Sequence, residues 1–218
     1  MTITDAFTAE WRNLAQILAL PPVLSADILT ELQAGYGDPA RHYHTDRHIV
    51  SMLKQAADLD LKDRHAARLA IFFHDLVYDP LRNDNERRSA EVLKERLSGY
   101  TAADRLNLAS AIIEATAGHQ LTGDHDTDLV LDLDMAILGQ PWPVYETYAK
   151  GVMAEYLPYI GVAAWRQGRV SLFLDPILAR GKIFLTDRFK PLDARAMENL
   201  RHEKAWLTSN QPPTWPLS

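Results

Sequence analysis

The 218-residue sequence contains no cysteine. Disulfide bonds and zinc sites built from thiolates are therefore excluded, and the absence fits a cytoplasmic protein. No apolar run approaches the roughly 20 residues that a membrane-spanning helix needs. The N-terminal run MTITDAFTAEWRNLAQILALPP lacks the basic segment followed by a long apolar stretch that marks a signal peptide. The sequence thus predicts a soluble, cytoplasmic protein.

Positive charge is also scarce, because 23 lysines and arginines stand against 29 acidic residues and give a net charge of −6. This balance argues against duplex nucleic acid as the main partner, since phosphate binding along a duplex needs a concentrated basic face. A small anionic substrate remains compatible with the charge, because one metal ion can reverse the sign of the field inside a pocket. The expected partner is therefore a small molecule, with neither duplex nucleic acid nor a membrane.

The alternation of apolar and polar residues that is typical of strands is lacking, and apolar residues recur instead at helical spacing. No internal repeat and no linker rich in serine, glycine or proline divides the chain. The sequence predicts an all-α, single-domain bundle over residues 1–218, with a core at about 36–140 and C-terminal helices at about 141–208 packed on it. The predicted helices that bear on the site cover about 23–36, a third helix with His44 and His48 on one face, 66–77, 102–117 and 127–138.

The most informative residues are His74 and Asp75, inside the apolar run LAIFFHDLVYD. Burying an ionisable pair costs several kcal/mol unless partners compensate its charge and hydrogen bonds. An imidazole partner is available upstream, where His44 and His48 lie four residues apart. The pattern therefore indicates that His74 and Asp75 belong to a polar cluster inside the core.

Carboxylate partners are available downstream, where Asp132 and Asp134 lie in the otherwise apolar run LVLDLDMAILG. The order His, then His-Asp, then Asp, with one residue taken from each of the pairs His44/His48 and Asp132/Asp134, gives two imidazoles and two carboxylates. Such a mixed nitrogen and oxygen set suits Mn²⁺, Co²⁺, Ni²⁺, Fe²⁺, Mg²⁺ or Zn²⁺ and leaves coordination positions for water and substrate. The sequence predicts a divalent metal ion as the cofactor.

The ordered motifs RHYHTDRHIVSML, AIFFHDLVYD, NDNERRSAEVL and LDLDMAILG resemble the HD superfamily of metal-dependent phosphohydrolases. They are most similar to the bacterial predicted HD-type phosphohydrolases that open with YH-x3-HI, and the resemblance covers about residues 36–205. It implies an HD-type helical bundle. It also implies an enzyme that hydrolyses a phosphate ester of a nucleotide or another small phosphorylated metabolite.

The same resemblance implies four metal ligands, which are His44, His74, Asp75 and Asp134. His44 is preferred over His48 because HTDRH places Arg47 and the residue after it where the superfamily has H-x-x-R-V. Asp134 is preferred over Asp132 because DMAILG aligns with the superfamily ending A-D-x-L-x-x-x-G. The two aspartates cannot share a face, since residues two apart on a helix diverge.

The proton donor is less clearly marked, because superfamily nucleotidases carry a glutamate three residues after the HD aspartate and this chain has Tyr78 there. Asp79 and Glu86 are therefore the candidates for catalytic proton transfer. Glu86 also fits a plain structural role, since an acid is favoured in the first turn of a helix. Arg47 is the candidate for binding the substrate phosphate.

Two other functions stay open at this point. Phosphodiesterase and oxygenase branches of the superfamily add two histidines between the HD pair and the last aspartate, and His119 and His125 lie in that interval. A dinuclear site is therefore one alternative. The missing glutamate after Asp75 leaves a second alternative, a metal-dependent ligand sensor without turnover.

Overall fold

The computed structural model describes residues 2–209, in which all regular secondary structure is helical and no strand occurs. The all-α prediction is thereby confirmed. Residue contacts divide the chain into two compact units, Met1–Asp134 and Met135–Ser218, called unit 1 and unit 2. The prediction of a single domain over the whole chain stays a prediction. Within residues 2–209, no helix combines the length and the apolar character that crossing a membrane requires.

Unit 1 contains the helices that carry the predicted metal ligands. Local signals set several helix starts: the Thr2 hydroxyl accepts from the Asp5 N–H at 3.1 Å while Asp5 accepts from the Thr2 N–H at 2.8 Å, which is a capping box. Asp63 likewise accepts from the N–H groups of His65 and Ala66, both at 3.0 Å. The helices are α1 (Ile3–Ile17), α2 (Pro22–Tyr36), α3 (Asp46–Ala56), α4 (Arg64–Phe73), α5 (Asn85–Leu97), α6 (Ala103–Ala115) and α7 (His125–Met135).

Helix α4 lies at the centre of unit 1. It contacts α3, α5 and α6, and the residues from Leu69 to Phe73 are completely buried. The Phe72 ring meets the rings of Phe7 and Trp11 edge-to-face, with centroids 5.3 and 5.4 Å apart. The second half of α4, from Leu69 to Phe73, is apolar all round and has no polar face for water, so its buried position follows from its sequence.

Two predicted helix boundaries are wrong, and both concern the site. Helix α3 begins at Asp46, so His44 precedes the helix and does not share a helical face with His48. Helix α4 ends at Phe73, so His74 and Asp75 lie in the turn that follows and not inside a helix reaching residue 77. Apolar residues continue past the end of α4 because that turn is itself largely buried, whereas residues 42–45 before α3 are half-buried or exposed. Periodicity alone does not show where the backbone leaves the helix.

Within residues 135–209, unit 2 is built from three α-helices joined by 3₁₀ and π-helical turns. Helix α8 is interrupted at Gly161, whose φ of 72° lies in the left-handed region that glycine adopts without strain. A buried ion pair joins the π-helical turn to the last helix, with Arg169 Nε 2.9 Å from Glu203 Oε1. The elements are a 3₁₀ turn (Ala136–Gly139), α8 (Trp142–Gly168), a π-helical turn (Arg169–Leu174), α9 (Asp175–Arg180), a second 3₁₀ turn (Lys190–Leu192) and α10 (Asp193–Thr208).

Candidate metal centre

Three side chains that can bind a metal converge inside unit 1. His48 lies in the first turn of α3, His74 follows the last residue of α4, and Asp134 lies one residue before the end of α7. Each offers one ligand atom, and the three atoms all lie within 4.8 Å of one another. His48 and His74 are buried, and Asp134 is half-buried. Helices distant in sequence therefore place two imidazoles and one carboxylate around one point.

The Asp134 carboxylate is held from both sides by histidines. His48 Nε2 donates to Asp134 Oδ1 at 3.0 Å, and His119 Nε2 donates to Asp134 Oδ2 at 2.9 Å. His119 lies in the segment between α6 and α7 and has a φ of 46°, a left-handed conformation that is uncommon for a residue other than glycine. The sparsely populated backbone conformation thus occurs at His119, the residue whose imidazole contacts Asp134.

The imidazole of His74 is fixed at one nitrogen and poorly satisfied at the other. Its Nδ1 lies 3.0 Å from the Ile71 carbonyl oxygen, which can only accept, so Nδ1 carries a proton. Its buried Nε2 lies 2.9 Å from Asp75 Oδ2 and 3.7 Å from Asp134 Oδ1. Despite the short distance to Asp75, Nε2 has no hydrogen bond of good direction. The two atoms are close enough for an ion pair, but their relative direction is poor for a hydrogen bond, so Nε2 is incompletely satisfied.

Charges in this cluster shift one another's pKa values. Burial raises the pKa of Asp134, but hydrogen bonds from His119 and His48 outweigh burial and hold that pKa well below its usual range. Burial lowers the pKa of His74, whereas the negative charges of Asp75 and Asp134 raise it to about 9. For Asp75, burial raises the pKa and the neighbouring His74 and His44 lower it, with a net decrease. Both carboxylates are therefore ionised at neutral pH.

The other predicted ligands, His44 and Asp75, border this group without belonging to it. The His44 ring lies 4.5 Å from the Tyr78 ring and 6.3 Å from the His48 ring, measured between centroids. Asp75 contacts His74 directly, as described above. Geometry therefore brings together His74 and Asp134 with His48, and the preference for His44 over His48 stays a prediction.

The alternative residues are placed differently from one another. Asp132, the alternative to Asp134, is buried in α7 and has contacts of its own. His119 reaches the site through Asp134, whereas His125 is exposed and its Nε2 donates to the Asp60 carbonyl at 2.8 Å. Among the contacts described for residues 2–209, His119 therefore reaches the Asp134 carboxylate and His125 does not.

The candidate catalytic and substrate-binding residues lie at exposed or half-buried positions. Asp79 Oδ1 accepts from the Leu81 N–H at 2.9 Å and so caps the turn after the HD pair. Glu86 is half-buried in the first turn of α5, where helix N–H groups favour a negative charge. Arg47 is exposed beside His48. No contact joins Asp79 or Glu86 to the three clustered ligands among those described, so their catalytic role stays a prediction.

Several residues that support the site were not singled out from the sequence. The Tyr43 hydroxyl lies 3.1 Å from His48 Nδ1. Ser89 Oγ accepts from the Val77 N–H at 3.0 Å, and the Asn85 side chain bonds both the N–H and the carbonyl of Asp79 at 3.1 and 2.9 Å. Asn85 and Ser89 are buried polar residues of α5, within the run NERRSAEVL. A buried amide or hydroxyl needs a hydrogen-bond partner, so these two residues were the signal in the sequence for contacts to the turn after α4.

Comparisons with protein-family models, with curated proteins and with solved structures find no match to this chain. The resemblance to the HD superfamily therefore rests on the quoted motifs alone.

Proposed function

We propose that unit 1 is a metal-dependent phosphohydrolase whose divalent ion is bound by His48, His74 and Asp134. The observation that carries the proposal is the convergence of two imidazole nitrogens and one carboxylate oxygen within 4.8 Å. Bonds of about 2.1 Å keep two ligand atoms of one ion within about 4.2 Å of each other. The nitrogens of His48 and His74 lie 3.0 and 3.7 Å from Asp134 Oδ1, both inside that limit.

The residues present fit a metal ion, and His74 supplies the sharpest test of the fit. Its Nδ1 donates its proton to the Ile71 carbonyl. In the neutral ring, which is the form that binds a cation in place of the second proton, the lone pair therefore lies on Nε2, on the side of Asp134. A buried nitrogen without a well-directed partner is unfavourable, and a cation at this point would satisfy it.

His48 can take the ligand role because its second nitrogen has an adaptable partner. The Tyr43 hydroxyl either donates to Nδ1 or accepts from it. With the proton on Nδ1, His48 Nε2 is free of hydrogen and can bind a cation together with Asp134. The Tyr43 hydroxyl would then orient the ring, as partners of ligating histidines commonly do.

Bound at this site, a divalent ion would lower the pKa of coordinated water towards neutrality and polarise a phosphoryl oxygen. Asp75, ionised and adjacent to His74, would accept a hydrogen bond from an attacking water. Asp79 and Glu86 remain the candidates for protonating the leaving group, and Arg47 for binding the phosphate. The proposed substrate is a small phosphorylated metabolite, such as a nucleotide, in a cytoplasmic setting that the lack of cysteine supports.

The direct test is elemental analysis of the purified chain, followed by a phosphate-release assay on a panel of nucleotides and sugar phosphates. We expect stoichiometric metal, loss of phosphate release on chelation and recovery with Mn²⁺ or Co²⁺. An Asp134→Asn chain serves as the control that should release no phosphate under any metal. Absence of metal from the wild-type chain after reconstitution contradicts the site. Ligand binding without turnover would favour the sensor instead.

A second candidate, a dinuclear centre, is favoured by His119. Asp134 Oδ1 faces His48 and His74 while Oδ2 faces His119, so one carboxylate presents its two oxygens to two separate sets of nitrogens. Metal stoichiometry of His119→Ala, with His125→Ala as the matched control, tests this candidate. A dinuclear centre predicts two ions in the wild type and the control and one in His119→Ala. One ion in all three chains rejects it, and oxygen consumption by the iron-loaded protein would point to an oxygenase.

A further inference from the structure

The turn after α4 carries His74 and Asp75, and its main-chain carbonyl groups have an unusual set of partners. The last carbonyls of a helix lack partners within the helix and need others. Here the Phe72 carbonyl accepts from the Tyr36 hydroxyl at 2.9 Å, and the Phe73 carbonyl accepts from the Leu76 N–H at 3.0 Å. The next two carbonyls with described partners, those of Asp75 and Leu76, both accept from one side chain.

That side chain is Arg41, which is 9% exposed. Its Nη1 donates to the Asp75 carbonyl at 2.6 Å, and its Nη2 donates to the Leu76 carbonyl at 2.8 Å. Nη1 also lies 3.3 Å from the His44 carbonyl. One guanidinium therefore joins the turn after α4 to the segment that leads into α3. His48 is the third residue of that helix.

The surroundings of Arg41 hold its guanidinium in place. Its Cζ lies 5.3 Å from the centroid of the Tyr36 ring and 5.2 Å from that of the Tyr78 ring, within the range of cation–π attraction. The described partners of Arg41 are main-chain carbonyl groups and aromatic ring faces, and none of them is a carboxylate. A cation beside these carbonyls also complements the negative end of the α4 dipole.

The chemistry of this contact requires arginine and not merely a positive charge. Two terminal nitrogens of a rigid planar guanidinium reach the carbonyls of two successive residues, which fixes the orientation of both peptide groups as well as their position. A lysine ammonium at the same place is a single point with rotatable donors. Helix α2 closes the other side of the turn, because a Cβ on Gly35 would lie 2.8 Å from Leu76 Cδ1 and 3.2 Å from the Leu76 carbonyl oxygen.

From this arrangement we infer that Arg41 is a positioning residue for the metal centre. It sets the distance between His74 on one segment and His48 on the other by fixing the main chain of both. The inference rests on the proposed metal site, since it assigns a role towards the ion that His48, His74 and Asp134 would bind. Arg41 itself binds neither ion nor substrate in this assignment.

The experiment is a Co²⁺ titration of the metal-free chain, followed by visible absorption, which reports both affinity and ligand geometry. The variants are Arg41→Lys, which keeps the charge, and Arg41→Gln, which keeps neither charge nor fork. Arg68→Gln is the matched control, because Arg68 also clamps a main-chain carbonyl, that of Glu10 at 3.0 Å, together with the Glu10 carboxylate and Asn13. Circular dichroism and thermal unfolding of each metal-free chain establish that it folds.

We expect Arg41→Gln to bind Co²⁺ about 100-fold more weakly and Arg41→Lys about 10-fold more weakly, with altered absorption bands in both, as loss of supporting contacts around ligands commonly produces. Arg68→Gln should keep the wild-type affinity and spectrum. Wild-type affinity and spectrum in both folded Arg41 variants overturn the inference and leave the metal site standing. No Co²⁺ binding by the wild type overturns the proposed site and this inference together. Failure of both Arg41 variants to fold shows a general structural role and overturns it as well.

Discussion

Two buried clusters of charged side chains, one in each unit, differ in how completely their groups are paired. In unit 2, Glu203 accepts from Arg169 Nε at 2.9 Å and Nη2 at 3.2 Å, and also from the Tyr145 hydroxyl. The Arg169 guanidinium lies over the Phe173 ring, with Cζ 3.9 Å from its centroid. Here one cation meets one anion, and both carboxylate oxygens have good donors.

The cluster in unit 1 is not balanced in the same way. Two ionised carboxylates, Asp75 and Asp134, lie among the imidazoles of the cluster, and the buried Nε2 of His74 lacks a well-directed partner. A structural ion pair and a binding site thus differ in how completely their polar atoms are paired. Matched donors and acceptors need nothing further, whereas an excess of carboxylate and an unsatisfied nitrogen favour a bound cation.

The largest effect is expected from a change at Asp134, the carboxylate that the histidines of the unit 1 cluster share. Asp134→Asn should remove stoichiometric metal, because it deletes the carboxylate charge that faces both His48 and His74. Elemental analysis after dialysis against a divalent metal measures the loss. Asp46→Asn is the control, since Asp46 also lies in unit 1 but accepts from the Thr4 hydroxyl at 2.9 Å. An Asp134→Asn chain that retains the metal of the control would show that the ion binds elsewhere.

Breaking the unit 2 cluster should change stability and leave metal binding alone. Arg169→Met leaves the buried Glu203 carboxylate without a counter-charge, which costs about 3–5 kcal/mol in the free energy of unfolding. Urea unfolding followed by circular dichroism gives the value. The double variant Arg169→Met with Glu203→Leu removes both charges and should recover most of that loss. If Arg169→Met alone is as stable as the wild type, Arg169 and Glu203 do not form the fully paired ion pair described above.

The identity of the first histidine ligand is the next sharpest comparison. His48→Ala should weaken metal binding by more than about 100-fold, because His48 Nε2 is one of the three clustered atoms. His44→Ala should weaken it by about 10-fold, as for a residue that borders the group. Metal titrations of the two variants side by side decide the order. The reverse order would restore His44, the ligand implied by the sequence motif, and would place His48 beside it.

The smallest expected effect concerns the start of α4 and its dependence on pH. Burial raises the pKa of Asp63, but hydrogen bonds from the helix N–H groups and Arg105 lower it overall. A folded pKa below the unfolded value of about 3.9 means that this carboxylate adds stability above about pH 4, which is lost as the pH falls through the folded pKa. Asp63→Ala should therefore cost about 1 kcal/mol at pH 7 and less at pH 3.

Urea unfolding at the two pH values measures this difference. Asp63→Asn is the matched control, because asparagine keeps a capping oxygen and loses the charge, and it should retain most of the stability at pH 7. An equal loss for Asp63→Ala at both pH values would mean that the carboxylate is not the group that titrates.

Much of the fold follows from local signals in the sequence. The spacing of apolar residues predicts helices at about 23–36, 102–117 and 127–138, which lie close to the observed α2, α6 and α7. The ends of the elements near the site were less predictable. At the end of α4 the Phe72 carbonyl accepts from Tyr36, and in the turn that follows the Asp75 carbonyl accepts from Arg41. Both partners come from a distant part of the chain and leave no periodic trace in the sequence around Phe73.

For the site, the sequence by itself determined the chemistry: histidines and aspartates in three apolar stretches, with no cysteine to compete for a metal. Tertiary structure alone decided which of them meet. His48 and not His44 lies in the clustered group with His74 and Asp134, and His119 arrives from a segment between helices. The reason is physical, since residue type fixes which atoms can bind a cation, while their convergence depends on where α3, α4 and α7 pack and on side chains such as Arg41 that hold the turns between them.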